Sequence, residues 1–232
     1  LKLKGLNYKK EKLVMRKNIY KIKVNIITIF SVFLIAGYAH AFGLGDLTGA
    51  VTGGGGDGPD LTKSQDTITA SLKNSLINLT KSQKIMFQAL DKDTEVQLAE
   101  KVLVGLNNKD FGTTDNIDKV MESSSKLTKT QAEYMAKKEV LGVESKALFV
   151  TSIPFYIKGV VGAIDTGKQA AEAGKSIASQ GPMALLKIGA LVSIVSKTPT
   201  LLSQLSGTTS SMFEFMTAND IDNTEVKQKI KF

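Results

Sequence analysis

The 232-residue sequence has no cysteine and no tryptophan, one histidine and four prolines. Its single arginine is Arg16 and its single histidine is His40. From Phe42 onward there is no Cys, His, Trp or Arg, and the only tyrosines are Tyr134 and Tyr156. Each absence removes a class of chemistry. Without cysteine there is no disulfide frame and no lipidated N-terminal cysteine. Without cysteine and histidine, most zinc, haem and iron–sulfur ligation is lost. Ser–His–acid and Cys–His nucleophiles are excluded as well. Without arginine there is no fork-shaped guanidinium to grip phosphates or base edges. What remains is carboxylate, lysine and tyrosine chemistry.

The formal charge of +8 is unevenly placed. Residues 1–41 carry nine basic residues and one acid, Glu11, which leaves 21 basic and 21 acidic residues after Ala41. The excess lies in a segment with the layout of a secretory signal. Arg16, Lys17, Lys21 and Lys23 form a basic start, Ile26–Ala36 an apolar run, and Ala39-His40-Ala41 a small-residue cleavage site. The apolar run is short of the ~20 residues of a permanent span. Cleavage after Ala41, with Ala39 and Ala41 as the recognised pair, is therefore expected. Residues 1–14 precede the first methionine, Met15, and are read as a non-native extension. The chain that remains is neutral, so its basic pI gives no reason to expect nucleic-acid binding.

Residues 42–59 are glycine-rich and read as a flexible linker, because glycine loses the most backbone freedom on ordering. From residue 60 the apolar spacing is helical. Leu61, Ile68, Leu72, Leu76, Leu79, Met86 and Leu90 mark one stripe, entered past Pro59 with Thr62 and Gln65 as a capping box. Asp93 is expected to cap a shorter helix with Val96, Ala99, Val102, Leu103 and Leu106 on one face, and residues 107–116 read as a loop. A third helix starts near Thr114 and runs toward Leu141, its seam interrupted by Ser124, Gln131 and Lys138. Gly142 and Pro154 are expected breaks or kinks. Gly181-Pro182 is another break, before an apolar segment at 183–195, and Thr198-Pro199-Thr200 is expected to open the last helix. The tail, 221–232, reads as coil or a short strand. The expected fold is all-α, an elongated bundle of five or six helices over residues 60–220.

Three motifs resemble sites and fail on inspection. Gly162–Gln169, GAIDTGKQ, has Gln169 where a phosphate-binding loop needs Ser or Thr, and its surroundings are helical. Gly55–Asp60, GGDGPD, is a lone copy of a calcium repeat that works by stacking. The acidic groups Asp91/Asp93/Glu95, Asp110/Asp115/Asp118 and Asp220/Asp222/Glu225 lack the glycine and glutamate spacing of a calcium loop. They suit helix N-termini instead. No catalytic residue, metal or cofactor is predicted.

The pattern with most content is a small-residue face. On a helix, Gly159, Ala163, Gly167 and Ala171 form one row, and Gly162, Thr166, Ala170, Gly174 and Ala178 the next. Asp165, Lys168, Glu172 and Lys175 fall on the opposite side. Such a face admits a second helix at close range, in water or in lipid. Two functional readings follow. In the first, the chain is an exported, non-enzymatic binding or structural module of the periplasm or cell exterior, with another protein or an apolar molecule as partner. In the second, it is a membrane-active protein that inserts residues 147–195 as an apolar hairpin. The signal and the lysine-only composition suggest a bacterial source.

Overall fold

A computed structural model describes residues 60–177, 185 and 187–232. The signal segment, Ala39 and Ala41, the linker at 42–59, Ala178 and Gly181-Pro182 lie outside the described residues. Among those residues there are six α-helices and a 3-10 turn, and no strand. The helices are α1 (Leu61–Ala89), α2 (Asp93–Leu106), α3 (Thr114–Ala136), α4 (Val143–Ile177), α5 (Gly189–Ala218) and α6 (Thr224–Lys229), with the 3-10 turn at Lys109–Gly112. The fold is all-α, as the spacing predicts.

Contacts along the helices give their directions. Ser71 meets Thr166, and Ser82 meets Ser152, so α1 and α4 are antiparallel. Phe149 packs on Phe215, and Gly167 faces Leu202, so α4 and α5 are antiparallel. Ser125 pairs with Gln204 and Thr128 with Thr208, so α3 and α5 are parallel. Helix α2 returns along α1, joined to it by the turn at 90–92, with Lys84 and Glu100 paired at 2.7 Å. Thus α1, α3 and α5 point one way, and α2 and α4 the other. The most extensive pairing is α1 with α4. One continuous apolar core, including Leu72, Leu76, Phe87, Leu127, Phe149, Leu191 and Phe215, lies between them.

Several local expectations need correction. The cap of α1 is Asp60, whose carboxylate accepts from the N–H groups of Thr62 and Lys63 at 3.1 and 3.2 Å. Thr62 already sits within the helix, and Gln65 Oε1 instead accepts from Leu191 N at 3.1 Å, satisfying a free N–H in the first turn of α5. Asp93 lies in the first turn of α2, whose cap position is Lys92. The 107–116 segment is partly helical, with Phe111 buried. Helix α3 stops at Ala136, and Lys138 takes a positive φ of 52°. Gly142 does stand at a break, immediately before α4. Neither Pro154 nor Pro199 ends a helix: both lie inside, on exposed positions of α4 and α5. An exposed proline leaves its unpaired carbonyl within reach of water, and packing of the opposite face carries the helix through. The tail forms α6, anchored by buried Val226.

One buried side chain at the end of α5 pins the α3–α4 connection. Asn219, 1% exposed at the end of α5, accepts from Leu141 N at 2.7 Å. Its amide donates to Glu139 O at 3.0 Å and to Phe215 O at 3.1 Å.

Candidate functional site

The small-residue rows of α4 meet two different neighbours. A methyl group on Gly159 would lie 2.6 Å from Leu79 Cγ and 2.7 Å from Leu79 N, so the backbones of α1 and α4 touch there. At Gly162 it would lie 2.5 Å from Ser75 Oγ. One turn on, the hydroxyls of Ser71 and Thr166 are 2.9 Å apart. These positions form the α1 side. Gly167 and Gly174 belong to the α5 side. A methyl group there would lie 2.6 Å from Leu202 Cδ1 and 3.1 Å from Val195 Cγ1, respectively. Ala163, Thr166 and Ala170 are buried between the two, whereas Ala171 is exposed and leaves the contact. Asp165, Lys168, Glu172 and Lys175 are exposed on the far side.

A second feature crosses the core at one level and joins all four long helices. Ser82 Oγ of α1 donates to Ser152 O of α4 at 2.9 Å. The hydroxyls of Tyr156 on α4 and Thr209 on α5 are 2.8 Å apart. Thr208 Oγ1 of α5 donates to Thr128 O of α3 at 3.2 Å. Gln83 Nε2 of α1 donates to Thr128 Oγ1 at 3.1 Å, closing the circuit. Every one of these side chains is 3% exposed or less. Burial pushes the Tyr156 phenol well above its ordinary range, so it stays a neutral hydrogen-bonding group. Directional bonds between four helices at one level penalise any slip of one helix against another.

Sequence reading did not find this belt, although it left marks. Ser124 and Gln131 stand in the apolar seam of α3 because they face the interior, 3% and 0% exposed. Gln131 Nε2 donates to Met86 Sδ at 3.0 Å.

Among the described residues, no charged side chain is buried. Tyr134 donates to Glu95 at 2.9 Å, which raises its phenol pKa, and the ammonium groups of Lys92 and Lys137 stand 5.1 and 4.6 Å from its ring. Asp222, just before α6, accepts from Thr224 N at 2.9 Å, and hydrogen bonding to Thr224 lowers its pKa. An open groove of about 390 Å³ is lined by Lys138, Phe213, Glu214, Thr217, Ala218 and Lys227. It is crossed by the Lys138–Glu214 ion pair at 2.9 Å. Among the described residues, no three acids cluster closely enough to hold a metal ion. Gly162–Gln169 lies wholly within α4, so no loop is present there to cradle a phosphate.

Asp118 tethers α3 to α5. Its carboxylate accepts from the Ser193 hydroxyl and pairs with Lys197 at 2.9 Å. The Ser193 hydrogen bond, then that of Lys197, hold its pKa below the ordinary carboxylate value. Its stabilising effect is therefore present above the unfolded-state pKa near ~3.9 and is lost as the pH falls through the lower native value. Asp118→Asn is expected to flatten the acid limb of the melting temperature below about pH 4. Thermal melts of both proteins from neutral to acid pH test this, and parallel acid limbs would refute it.

No family model, curated protein or solved structure matches the chain. The class that the fold defines is an all-α, multi-helix protein with an uncharged polar belt in its core.

Proposed function

We propose that the chain is an exported, non-enzymatic helical protein, a binding or structural module of the periplasm or cell exterior. The observation that carries this reading is how α4 and the start of α5 use their apolar surface. Phe149, Ile153, Tyr156, Ile157, Val160, Ala163, Leu191 and Ile194 are all buried. Between residues 147 and 195, the large apolar side chains classed as exposed among the described residues are Leu148 and Val192, each only 37% exposed. Of the small-residue face, Gly159 and Gly162 meet α1, and Gly167 and Gly174 meet α5. A chain that turns these side chains inward is suited to an aqueous compartment. The signal-like segment Met15–Ala41 supplies the route out. The reading as a non-enzyme rests on the residue inventory and on carboxylates with structural partners: Asp60 caps α1, and Glu100, Asp118, Glu214 and Glu225 form ion pairs.

One observation favours the second reading. Helix α4, at 35 residues, is long and apolar enough to cross a membrane. Its contacts with α1 and α5 rely on small residues and hydroxyls, which also join helices in lipid.

Two measurements test these readings. On expression in a host that exports it, the intact mass is expected to begin at Phe42. A stable full-length form in the membrane fraction would overturn the export reading. Dye-loaded liposomes are expected to stay sealed at any pH or lipid charge. Release that is lost in Gly167→Leu would transfer the assignment to the membrane-active hairpin.

A further inference from the structure

Beside the belt, α1 and α3 hold more buried polar atoms than the protein satisfies. Thr80 Oγ1, Gln83 Oε1, Ser124 Oγ and Gln131 Oε1 are all enclosed, and none has a partner within the chain. Their residues are 0%, 1%, 3% and 0% exposed. Thr80 and Gln83 are three residues apart on α1, and Ser124 and Gln131 seven apart on α3, so each pair lies along one helix face. The bond from Gln83 to Thr128, and that from Gln131 to Met86, set those two faces against each other. The free atoms thus line the same α1–α3 seam.

From this we infer that the α1–α3 seam binds internal water, a short file held between the two glutamine oxygens and the two hydroxyls. The chemistry selects the ligand. Both glutamine amide nitrogens are already donating, so their oxygens require a donor. The two hydroxyls can each donate or accept. Water, with two donors and two lone pairs, complements two carbonyl oxygens and two hydroxyls. A cation is disfavoured because the seam contains no carboxylate, and an uncompensated buried charge is far costlier than a neutral guest. Seven residues of helix span about 10.5 Å, too far for one molecule to bridge Ser124 and Gln131 along the axis. Internal waters of this kind make about three hydrogen bonds each to otherwise unsatisfied groups. The water file makes α1–α3 a wet seam, in contrast to the α1–α4 contact at Gly159, where the backbones touch.

The test uses the sign of two nearly isosteric substitutions. Thr80→Val and Ser124→Ala each remove one hydroxyl and leave the packing close to unchanged. If the hydroxyls hold water, each substitution strands part of the file, and the folding equilibrium constant is expected to fall about fivefold to a hundredfold. If they face a dry core, removing an unsatisfied hydroxyl leaves that constant unchanged or raises it. No fall in either variant overturns the proposal. A crystal structure of the wild-type protein, at a resolution that shows ordered water, provides an independent test. Water within hydrogen-bond distance of Gln83 Oε1 and Gln131 Oε1 is the expected result. Direct contacts from other protein groups to both oxygens would overturn the proposal even if a variant failed to fold.

Discussion

Gly159→Ala is expected to destabilise the protein although alanine is the better helix former. The added methyl group would lie 2.6 Å from Leu79 Cγ and 2.7 Å from Leu79 N. A side-chain tip can rotate away, but a backbone nitrogen in the middle of α1 cannot, so the two helices must separate. Overpacking of this kind costs about 1–3 kcal/mol and sometimes more, against a helix-propensity gain of nearly ~1 kcal/mol. At roughly 2–4 °C per kcal/mol for a chain of this size, the melting temperature should drop by several degrees. Other glycines in long helices supply the scale. Gly167 faces the end of the flexible Leu202 side chain, so its alanine variant should lose less, while Gly167→Leu should still be destabilised. Gly207 has nothing within 4 Å of the added group, so Gly207→Ala should gain about 0.5–1 kcal/mol. Thermal and denaturant unfolding of the three alanine variants tests the order. Gly159→Ala as stable as wild type would mean that the α1–α4 contact is looser than this geometry.

Helix content was legible because it rests on spacing that repeats over many residues. The stripe from Leu61 to Leu90 and the opposed small and charged faces of α4 each predict one buried side, and both helices form. What escaped was written as exceptions to the same pattern. The α1 stripe skips a step twice, between Leu61 and Ile68 and between Leu79 and Met86. Both gaps hold glutamine. Gln65 reaches Leu191 N of α5, and Gln83 reaches Thr128 of α3. In α3, Ser124 and Gln131 read as interruptions, yet both are buried. A polar residue at a seam position signals either a weak helix or a partnered interior group, and spacing alone does not distinguish them. The partner lies on another helix, at a sequence distance of 45 residues for Gln83. No break follows at either proline, for a related reason. Local chemistry makes Pro154 and Pro199 natural breaks, but whether a helix survives one depends on which face it occupies. The small-residue rows were visible, but not that they divide between α1 and α5. That division depends on where the neighbouring helices cross α4.

Asn219→Ala is expected to be among the most damaging single changes, with no effect on the apolar core itself. The side chain accepts from Leu141 N at 2.7 Å and donates to Glu139 O at 3.0 Å, holding the segment that links α3 to α4. Leu141 is buried, so once the carboxamide is gone its N–H lacks a partner and is shielded from water. An orphaned buried group costs about 1–3 kcal/mol. With the Glu139 carbonyl released as well, the loss should reach about 2–4 kcal/mol. Lys138 at φ 52° and Asp220 at φ 53° flank the clamp. Loss of the clamp should therefore show locally as well as globally. Amide hydrogen exchange of Leu141 is expected to accelerate far more than that of Leu72 or Leu76 at the centre of α1. Asn219→Asp keeps the acceptor for Leu141 N and loses the donor to Glu139 O. It also places a carboxylate beside two backbone carbonyls, where protonation is favoured. Its deficit relative to wild type should shrink as the pH falls toward 4, because the protonated acid again offers one donor and one acceptor. Uniform exchange along the chain in Asn219→Ala, or a pH-independent deficit in Asn219→Asp, would show that the connection is held by packing of Leu141 and not by this side chain.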